Sequence, residues 1–147
     1  MIYLASDHAG FELKEKLQIF LGELGFDAED LGNLTHEEGD DYPDFIFLAA
    51  KKVAEDPENN KAIILGGSGQ GEAMAANRLN GVRAAVFYGG PLDIIKLSRE
   101  HNDANILSLG AKFILENEAR EAVKMWLETS FSDGERHKRR IGKIDEI

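Results

Sequence analysis

Hydrophobic residues along this chain fall into two kinds of stretch, short apolar runs and longer segments with helical spacing. Apolar runs of strand length occupy positions 2–6, 26–31, 61–65, 83–87 and 106–109. The clearest helical face follows the first run and consists of Leu13, Leu17, Phe20, Leu21 and Leu24. These positions recur every three or four residues, as one buried face of a helix requires. The chain is therefore predicted to begin with a strand, a loop and a helix.

Helices are predicted after the later strands as well. Pro43 suits the first turn of one helix, which Asp56 and Pro57 end. Others are expected at 73–77, 92–100 and 119–127, with a short one in the C-terminal tail. Because strands and helices alternate, the predicted fold class is α/β. We expect a Rossmann-like, three-layer domain: a five-stranded parallel sheet with helices on both faces and a C-terminal helical tail.

Length and composition fit a single domain. The chain has 147 residues, of which 43% are hydrophobic, so one core of ordinary size is expected to cover residues 1–147. No apolar run is long enough to span a bilayer, and the first segment is strand-like rather than a charged leader with an apolar signal core. We therefore expect a cytoplasmic protein that does not bind membranes.

Charge and cysteine content exclude several kinds of function. The chain has no cysteine, which excludes disulfides, thiolate zinc sites and a cysteine nucleophile. A net charge of −10 argues against general nucleic-acid binding. The last fourteen positions nevertheless hold five of the seventeen basic residues, namely Arg136, Lys138, Arg139, Arg140 and Lys143. A local basic cluster on an acidic protein suits a small anionic ligand.

A glycine-rich segment, Gly66-Gly67-Ser68-Gly69-Gln70-Gly71-Glu72, joins the third predicted strand to a helix. Glycine lets the backbone approach a ligand closely, and exposed amide N–H groups in such a turn attract negative charge. Glu72 has two interpretations. It either complements the helix dipole or carries out proton chemistry beside amides that stabilise an oxyanion. The alternative for the glycines is a plain tight turn.

Several polar residues follow other predicted strands, where parallel sheets bind their ligands. Asp7 and His8 follow the first strand and Lys112 follows the fifth, so we expect them to share one edge of the sheet with the glycine-rich segment. Asp7 and His8 suit acid–base chemistry or phosphate binding. The alternative for Asp7 is an Asx turn or a helix cap.

Two further groups of residues have both a functional and a structural interpretation. His101 and Asn102 end a helix, where a histidine often serves only as a partner of the helix dipole. Arg136 and Arg140 are four positions apart, so on a helix they could grip a phosphate together or simply form a basic surface. An acidic stretch has the composition of a metal site but no histidine at ligand spacing, so we expect a solvated loop. It contains Glu37, Glu38, Asp40 and Asp41.

Taken together, five segments in order resemble one known family. They are Ser6 to Phe11, Asp41 to Pro43, the glycine-rich segment with Ala75 to Asn77, Arg99 to Asn105, and Arg136 to Arg140. The chain is similar over nearly its whole length to the ribose-5-phosphate isomerase B family, which also contains galactose-6-phosphate isomerase subunits. The resemblance implies interconversion of a phosphorylated aldose and ketose through a cis-enediolate, without a metal or an organic cofactor.

The resemblance also implies roles in catalysis. His101 would assist opening of the sugar ring, and Asp7 would orient the ring and its oxygen. Ser68 would relay a proton between the two enediolate oxygens. Many members of the family place a cysteine base where this chain has Gly66. A second group pairs a small residue there with glutamate at the position of Glu72, which makes Glu72 the expected base.

Substrate binding follows from the same resemblance. Phosphate would be held by His8, Arg136 and Arg140, and the sugar hydroxyls by Tyr42 and Asn102. The amides of Gly67, Gly69 and Gly71 would bind the enediolate. Many members carry an arginine near the phosphate where this chain has Lys112. Lysine keeps the positive charge but loses the bidentate fork, so the resemblance does not determine which sugar phosphate is preferred.

Family members build each site between two subunits. We therefore expect a homo-oligomer, a dimer or a tetramer, in which His101 and the tail arginines serve the glycine-rich segment of the neighbouring chain. Two alternatives to a ribose 5-phosphate isomerase stay open. One is an isomerase of a six-carbon sugar phosphate such as allose or galactose 6-phosphate, and the other is a sugar-phosphate-binding protein without catalysis.

Overall fold

The computed structural model describes residues 1–147 and contains every predicted strand and helix. The strands are β1 (Ile2–Ser6), β2 (Ala28–Asp30), β3 (Lys61–Gly66), β4 (Ala84–Phe87) and β5 (Ile106–Gly110). The helices are α1 (Phe11–Glu23), α2 (Tyr42–Glu55), α3 (Gln70–Ala76), α4 (Asp93–Glu100), α5 (Glu116–Glu128) and α6 (Glu135–Asp145). A single 3-10 turn, His8–Gly10, lies between β1 and α1.

All five strands form one parallel sheet in the order β2-β1-β3-β5-β4. From β1 the chain goes to β2 at one side of the sheet. It then crosses back over β1 to β3 and forms β4 and β5 on the other side. The boundary between β1 and β3 is therefore the point where the direction of winding reverses. In open α/β sheets the carboxyl ends of the strands at this point form the usual ligand crevice.

Two hydrophobic cores, one on each face of the sheet, complete a three-layer α/β fold. One core packs α1, α4 and α5 on the sheet and includes Leu17, Ile95 and Trp126, all at most 1% exposed. The other packs α2 and α3 and includes Ile46 and Ala76, both fully buried. The predicted three-layer fold is confirmed. No helix combines the length and the apolar character that a membrane crossing requires.

Three local details differ from the sequence predictions. Strand β2 has only three residues, because Phe26 and Asp27 are exposed at the sheet edge. Helix α3 starts at Gln70, three residues earlier than predicted, since Gly69 takes a φ of 76° and turns the chain directly into the helix. On α1, Lys14 is fully buried next to the apolar face, where it pairs with Asp30.

Candidate active site at the carboxyl edge of the sheet

The carboxyl ends of β1, β3 and β5 bring several of the predicted residues together. Asp7 and His8 directly follow β1, and the glycine-rich segment follows β3. A Cβ atom added at Gly67 would lie 3.4 Å from the Lys112 side chain and 3.8 Å from Ala9. The loops after all three strands are thus in contact, as expected from their order along the chain.

Unused amide groups characterise the glycine-rich segment. The backbone N–H groups of Gly67, Ser68, Gly69 and Gly71 donate to no other group of the chain, whereas the N–H of Gln70 donates to Ser68 Oγ at 3.3 Å. The segment is held in place by its carbonyls. Ser108 Oγ donates to the Gly69 carbonyl at 2.7 Å, and Lys112 N–H donates to the Gly67 carbonyl at 3.0 Å. The backbone is therefore fixed while its donors stay available to an anion.

Glu72 lies beside these amides and is only 4% exposed. A Cβ atom added at Gly66 would coincide with the Glu72 carboxyl group, at 1.8 Å from Oε1 and 2.1 Å from Cδ. The carboxyl group therefore fills the space that a side chain at position 66 would take. Burial raises the pKa of Glu72, and the negative charge of Asp7 raises it further, although a hydrogen bond from its own backbone N–H opposes both. A carboxyl group with a raised pKa is a stronger base once ionised.

Asp7 has the structural role that its sequence context allowed. Its Oδ1 accepts hydrogen bonds from the N–H groups of Ala9 at 2.9 Å and Gly10 at 3.3 Å, so it caps the 3-10 turn. Asp7 is buried, and its charge also raises the pKa values of Glu72 and His8. Its charge therefore acts on both the glycine-rich segment and His8, which is compatible with contact to a ligand.

Tyr42 begins α2 and lies against the same segment. A Cβ atom at Gly71 would meet the Tyr42 hydroxyl oxygen at 2.6 Å, so only glycine at position 71 leaves room for this phenol. The Tyr42 hydroxyl group thus lies next to the amide N–H groups of the loop.

The expectation of a solvated acidic loop is wrong for Asp40. Its side chain is only 5% exposed, and its Oδ1 accepts hydrogen bonds from His8 Nδ1 at 2.7 Å and from the His8 backbone N–H at 3.0 Å. The hydrogen bond to Asp40 raises the pKa of His8, helped by the charge of Asp7, against the effects of burial and of Lys112. Burial disfavours ionisation of Asp40, but hydrogen bonds from His8 and Asn33 outweigh it and lower its pKa.

One cluster has the composition of a cation site. Donor atoms of Asp7, His8 and Asp40 all lie within 4.8 Å of one another. These side chains already make hydrogen bonds within the protein. Asp7 Oδ1 accepts from the backbone of the 3-10 turn, and the Asp40 carboxylate accepts from His8 and Asn33. Hydrogen bonding within the protein therefore explains the arrangement of the three side chains.

A second group of predicted residues lies at the amino edge of the sheet, where the strands begin. His101 ends α4 just before β5 begins, and its backbone N–H donates to Leu97 as in a helix cap. Asn102 follows it and is exposed. Arg136 and Arg140 are exposed on α6, which is tied to this edge because the His101 and His137 rings stack with centroids 4.4 Å apart.

The two groups do not meet within one chain. Strand β5, with five residues, separates them, and at about 3.3 Å per residue it spans roughly 16 Å. The structure thus brings together Asp7, His8, Tyr42, Gly67, Ser68, Gly69, Gly71, Glu72 and Lys112. It leaves His101, Asn102, Arg136 and Arg140 at the amino edge.

Sequence reasoning missed two residues beside the predicted ones. Asp40 was one of four neighbouring acids with nothing to distinguish it, and its partner His8 lies 32 positions earlier. His137 was visible only as part of the basic motif from Arg136 to Arg140. Its pKa is lowered by burial and by the nearby charges of His101, Arg136 and Arg140.

Fold and geometry together define the general class of this protein. A parallel α/β sheet with a buried carboxylate and unused loop amides at its carboxyl edge is typical of an enzyme that stabilises an anionic intermediate. A family model described as Ribose/Galactose Isomerase matches residues 2–144. The chain belongs to the ribose/galactose isomerase family.

Individual relatives agree with this assignment. The chain is 39% identical over 145 residues to ribose-5-phosphate isomerase B of Mycolicibacterium paratuberculosis, covering 99% of this chain and 89% of the relative. Its structure is similar to that of ribose-5-phosphate isomerase B from Mycoplasma genitalium with bound ribulose-5-phosphate. The TM-score is 0.94 at 39% identity, over 99% of this chain and 93% of the other. The enzyme from Thermotoga maritima gives a TM-score of 0.91 at 42% identity, over 99% and 97% of the two chains.

Proposed function

We propose that this protein interconverts ribose 5-phosphate and ribulose 5-phosphate through a cis-enediolate, with Glu72 as the catalytic base. Membership of the ribose/galactose isomerase family and the named relatives support the reaction. One observation above all supports the base. The Glu72 carboxyl group fills the side-chain space of Gly66, where many members of the family are expected to carry a cysteine base, and it does so beside unused amide N–H groups.

Proton transfer follows from this arrangement. The Glu72 carboxylate removes the proton from C2 of the open-chain aldose, and the electron pair moves to form the enediolate with its charge on O1. The amides of Gly67, Gly69 and Gly71 stabilise that charge, and the Ser68 hydroxyl passes a proton between O2 and O1. Glu72 then returns its proton to C1, which gives the ketose and regenerates the carboxylate.

Phosphate binding in this proposal uses cations from both edges of the sheet. His8 and Lys112 belong to the carboxyl edge and hold the phosphate together with Arg136 and Arg140. Tyr42 and Asn102 hydrogen-bond the sugar hydroxyls, and His101 protonates the ring oxygen during opening while Asp7 orients the ring.

A complete site then requires two chains. His101, Asn102, Arg136 and Arg140 lie a strand length away from Glu72 within one chain, so a neighbouring subunit must supply them. We propose a homo-oligomer whose subunits exchange these residues, with a dimer as its smallest form. No metal or organic cofactor takes part in the proposed steps.

Replacing Glu72 with glutamine tests the assignment of the base. Glu72→Gln keeps the shape of the side chain but cannot accept the proton, so kcat should fall by about 10²–10⁴-fold. Competitive inhibition by inorganic phosphate should stay unchanged, because His8 and the other cations are intact. The matched control is Glu121→Gln, an exposed position on α5, which should keep full activity. Turnover of Glu72→Gln at the rate of the unchanged protein would rule out this base.

An isomerase of six-carbon sugar phosphates is the second candidate. The matching family model covers both ribose and galactose isomerases, and Lys112 offers a single ammonium group where an arginine would offer a fork. Rates should be compared on ribose 5-phosphate, allose 6-phosphate and galactose 6-phosphate, with Glu72→Gln as the blank. We expect the highest kcat/KM on ribose 5-phosphate. Binding without solvent-proton exchange at C2 would instead indicate a non-catalytic sugar-phosphate-binding protein.

A further inference from the structure

The contact between Asp40 and His8 has a geometry that a solvent-exposed pair would not keep. Both the backbone N–H and Nδ1 of His8 lie within hydrogen-bond distance of the same oxygen, Asp40 Oδ1, at 3.0 and 2.7 Å. Asn33 Nδ2 donates to the other oxygen, Oδ2, at 3.1 Å. The Asp40 side chain is 5% exposed, while 35% of the His8 side chain stays accessible. Asp40 is therefore fixed inside the protein, and His8 faces outward from it.

Asn33, which holds Asp40, is itself anchored to the end of β1. Its backbone N–H donates to the Ser6 carbonyl at 2.7 Å, and Ser6 N–H donates to the Gly32 carbonyl at 2.7 Å. The buried Lys14 ammonium donates to the Asn33 carbonyl and, at 2.8 Å, to Asp30. These bonds connect the loop before α2 to the strand that directly precedes His8. The position of the Asp40 carboxylate relative to His8 is thus set by the fold.

We propose that Asp40 is a positioning residue that orients His8 for the phosphate of the substrate. Because Nδ1–H donates to Asp40, Nε2 is the ring nitrogen left to donate to a ligand. A carboxylate on one ring nitrogen fixes the ring orientation and makes the opposite N–H a charge-assisted donor when the ring is protonated. This inference rests on the proposed function, in which His8 binds the phosphate.

The charge of His8 is controlled by the same contact. Three charged groups act on His8: Asp40 and Asp7 favour its protonated form, and Lys112 disfavours it. Partial burial also disfavours protonation, but the hydrogen bond to Asp40 is the largest effect, so the pKa of His8 is raised from 6.5. A phosphate ester is largely dianionic at pH 7, which suits an imidazolium donor. Without Asp40, a smaller fraction of His8 carries the charge.

Asp40→Asn tests this inference, because it keeps the shape of the side chain and removes its charge. At a pH above the pKa of His8 in the unchanged protein, KM for the sugar phosphate should rise by about tenfold for each unit by which that pKa falls. kcat should stay within about twofold, since Asp40 touches no reacting atom. The pH above which KM begins to increase should also move to a lower value. Asp41→Asn, which changes the neighbouring exposed acid, is the matched control and should leave KM and its pH profile unchanged.

A titration of the unchanged protein by NMR gives an independent measurement. The chain has four histidines, so comparison with His8→Asn assigns the His8 signal. The pKa of His8 obtained from this signal should lie above 6.5, and it should be lower in Asp40→Asn. A His8 pKa at or below 6.5 in the unchanged protein would overturn the inference even if Asp40→Asn failed to fold.

The variants also separate this inference from the proposed function. If His8→Asn leaves KM unchanged, the phosphate role of His8 is wrong and the proposed function must be revised. If His8→Asn raises KM while Asp40→Asn changes neither KM nor its pH profile, only the positioning role of Asp40 is overturned. A rise of KM in both variants, with kcat retained and with the pH profile of KM moved to lower pH in Asp40→Asn, supports the inference.

Discussion

Glu72 carries a cost to stability that follows from its position. Its carboxyl group is almost completely buried, no lysine or arginine lies within ion-pair distance, and the charge that acts on it is the negative charge of Asp7. All of this disfavours ionisation, which is the state that a base needs. A residue that reduces stability in its working form is expected where function requires it.

Glu72→Gln should therefore raise the free energy of unfolding at neutral pH. The pKa of Glu72 is raised in the folded state, so above pH 4.5 the folded protein binds more protons than the unfolded chain and stability falls as pH rises. The neutral glutamine avoids this loss. Denaturant titrations at several pH values should show an advantage of Glu72→Gln that grows from pH 4 upward and levels off above the folded pKa. An advantage that does not depend on pH would contradict the raised pKa, and Glu121→Gln should show none.

The sequence could predict which residues surround the site but not all of their contacts. Asp7, His8, Ser68, Glu72 and Lys112 follow strands directly, so the rule for parallel sheets was enough to group them. The fit of Glu72 into the space of Gly66 depends on the turn made by Gly69 at a φ of 76°, which a lone sequence does not specify. The pairing of Asp40 with His8 joins segments 32 residues apart and carries no periodic signal.

At the level of secondary structure, periodicity was sufficient because both faces of the sheet are covered. Buried strands appear as unbroken apolar runs and helices as spaced apolar positions, so the order of elements was readable. Failures occurred where tertiary contacts decide. Lys14 is surrounded by apolar positions on α1, and its partner Asp30 comes from β2, 16 residues later. Nothing local distinguishes it from an exposed lysine such as Lys16.

The buried pair of Lys14 and Asp30 should be important for the packing of α1 against β2. Asp30→Asn leaves the fully buried Lys14 ammonium without its counter-charge, so we expect a loss of about 3–5 kcal/mol in the free energy of unfolding. Lys16→Met, on the same helix but exposed and 3.5 Å from Glu116, is the control and should change it by less than about 1 kcal/mol. Urea titrations measure both. Equal, small losses would mean that the Asn33 carbonyl alone is sufficient for Lys14.

At the scale of the whole molecule, the separation of the two groups of site residues is the feature that bears most on how a complete site is assembled. Glu72 and His101 lie at opposite edges of one sheet, so in the proposed oligomer a chain that loses either residue still contributes the other to its partner. The family resemblance, and not the hydrophobic pattern, predicts that neighbouring subunits share their sites. Periodicity describes how one chain folds and contains no information on which edges meet in an oligomer.

Mixing two inactive variants should restore activity if subunits share sites. Glu72→Gln and His101→Asn are each expected to be nearly inactive as homo-oligomers. After joint unfolding and refolding in equal amounts, random pairing makes about half of the dimers mixed, each with one fully intact site, so about one quarter of the original activity should return. Turnover assays before and after mixing give the result. Activity that stays at the level of the separate variants would mean that each chain carries its own complete site.

The overlap between the Glu72 carboxyl group and the side-chain space of Gly66 also restricts how such an enzyme can evolve. Within a lineage, a base at position 66 and a base at position 72 compete for one volume. With Glu72 as the proposed base, a cysteine acquired first would displace the glutamate that is still needed, and a glutamate lost first would leave no base at all. Either order passes through an ancestor with impaired turnover. Exchange between the two kinds of base is therefore expected to be rare, with the two substitutions inherited together as a lasting mark of separate branches.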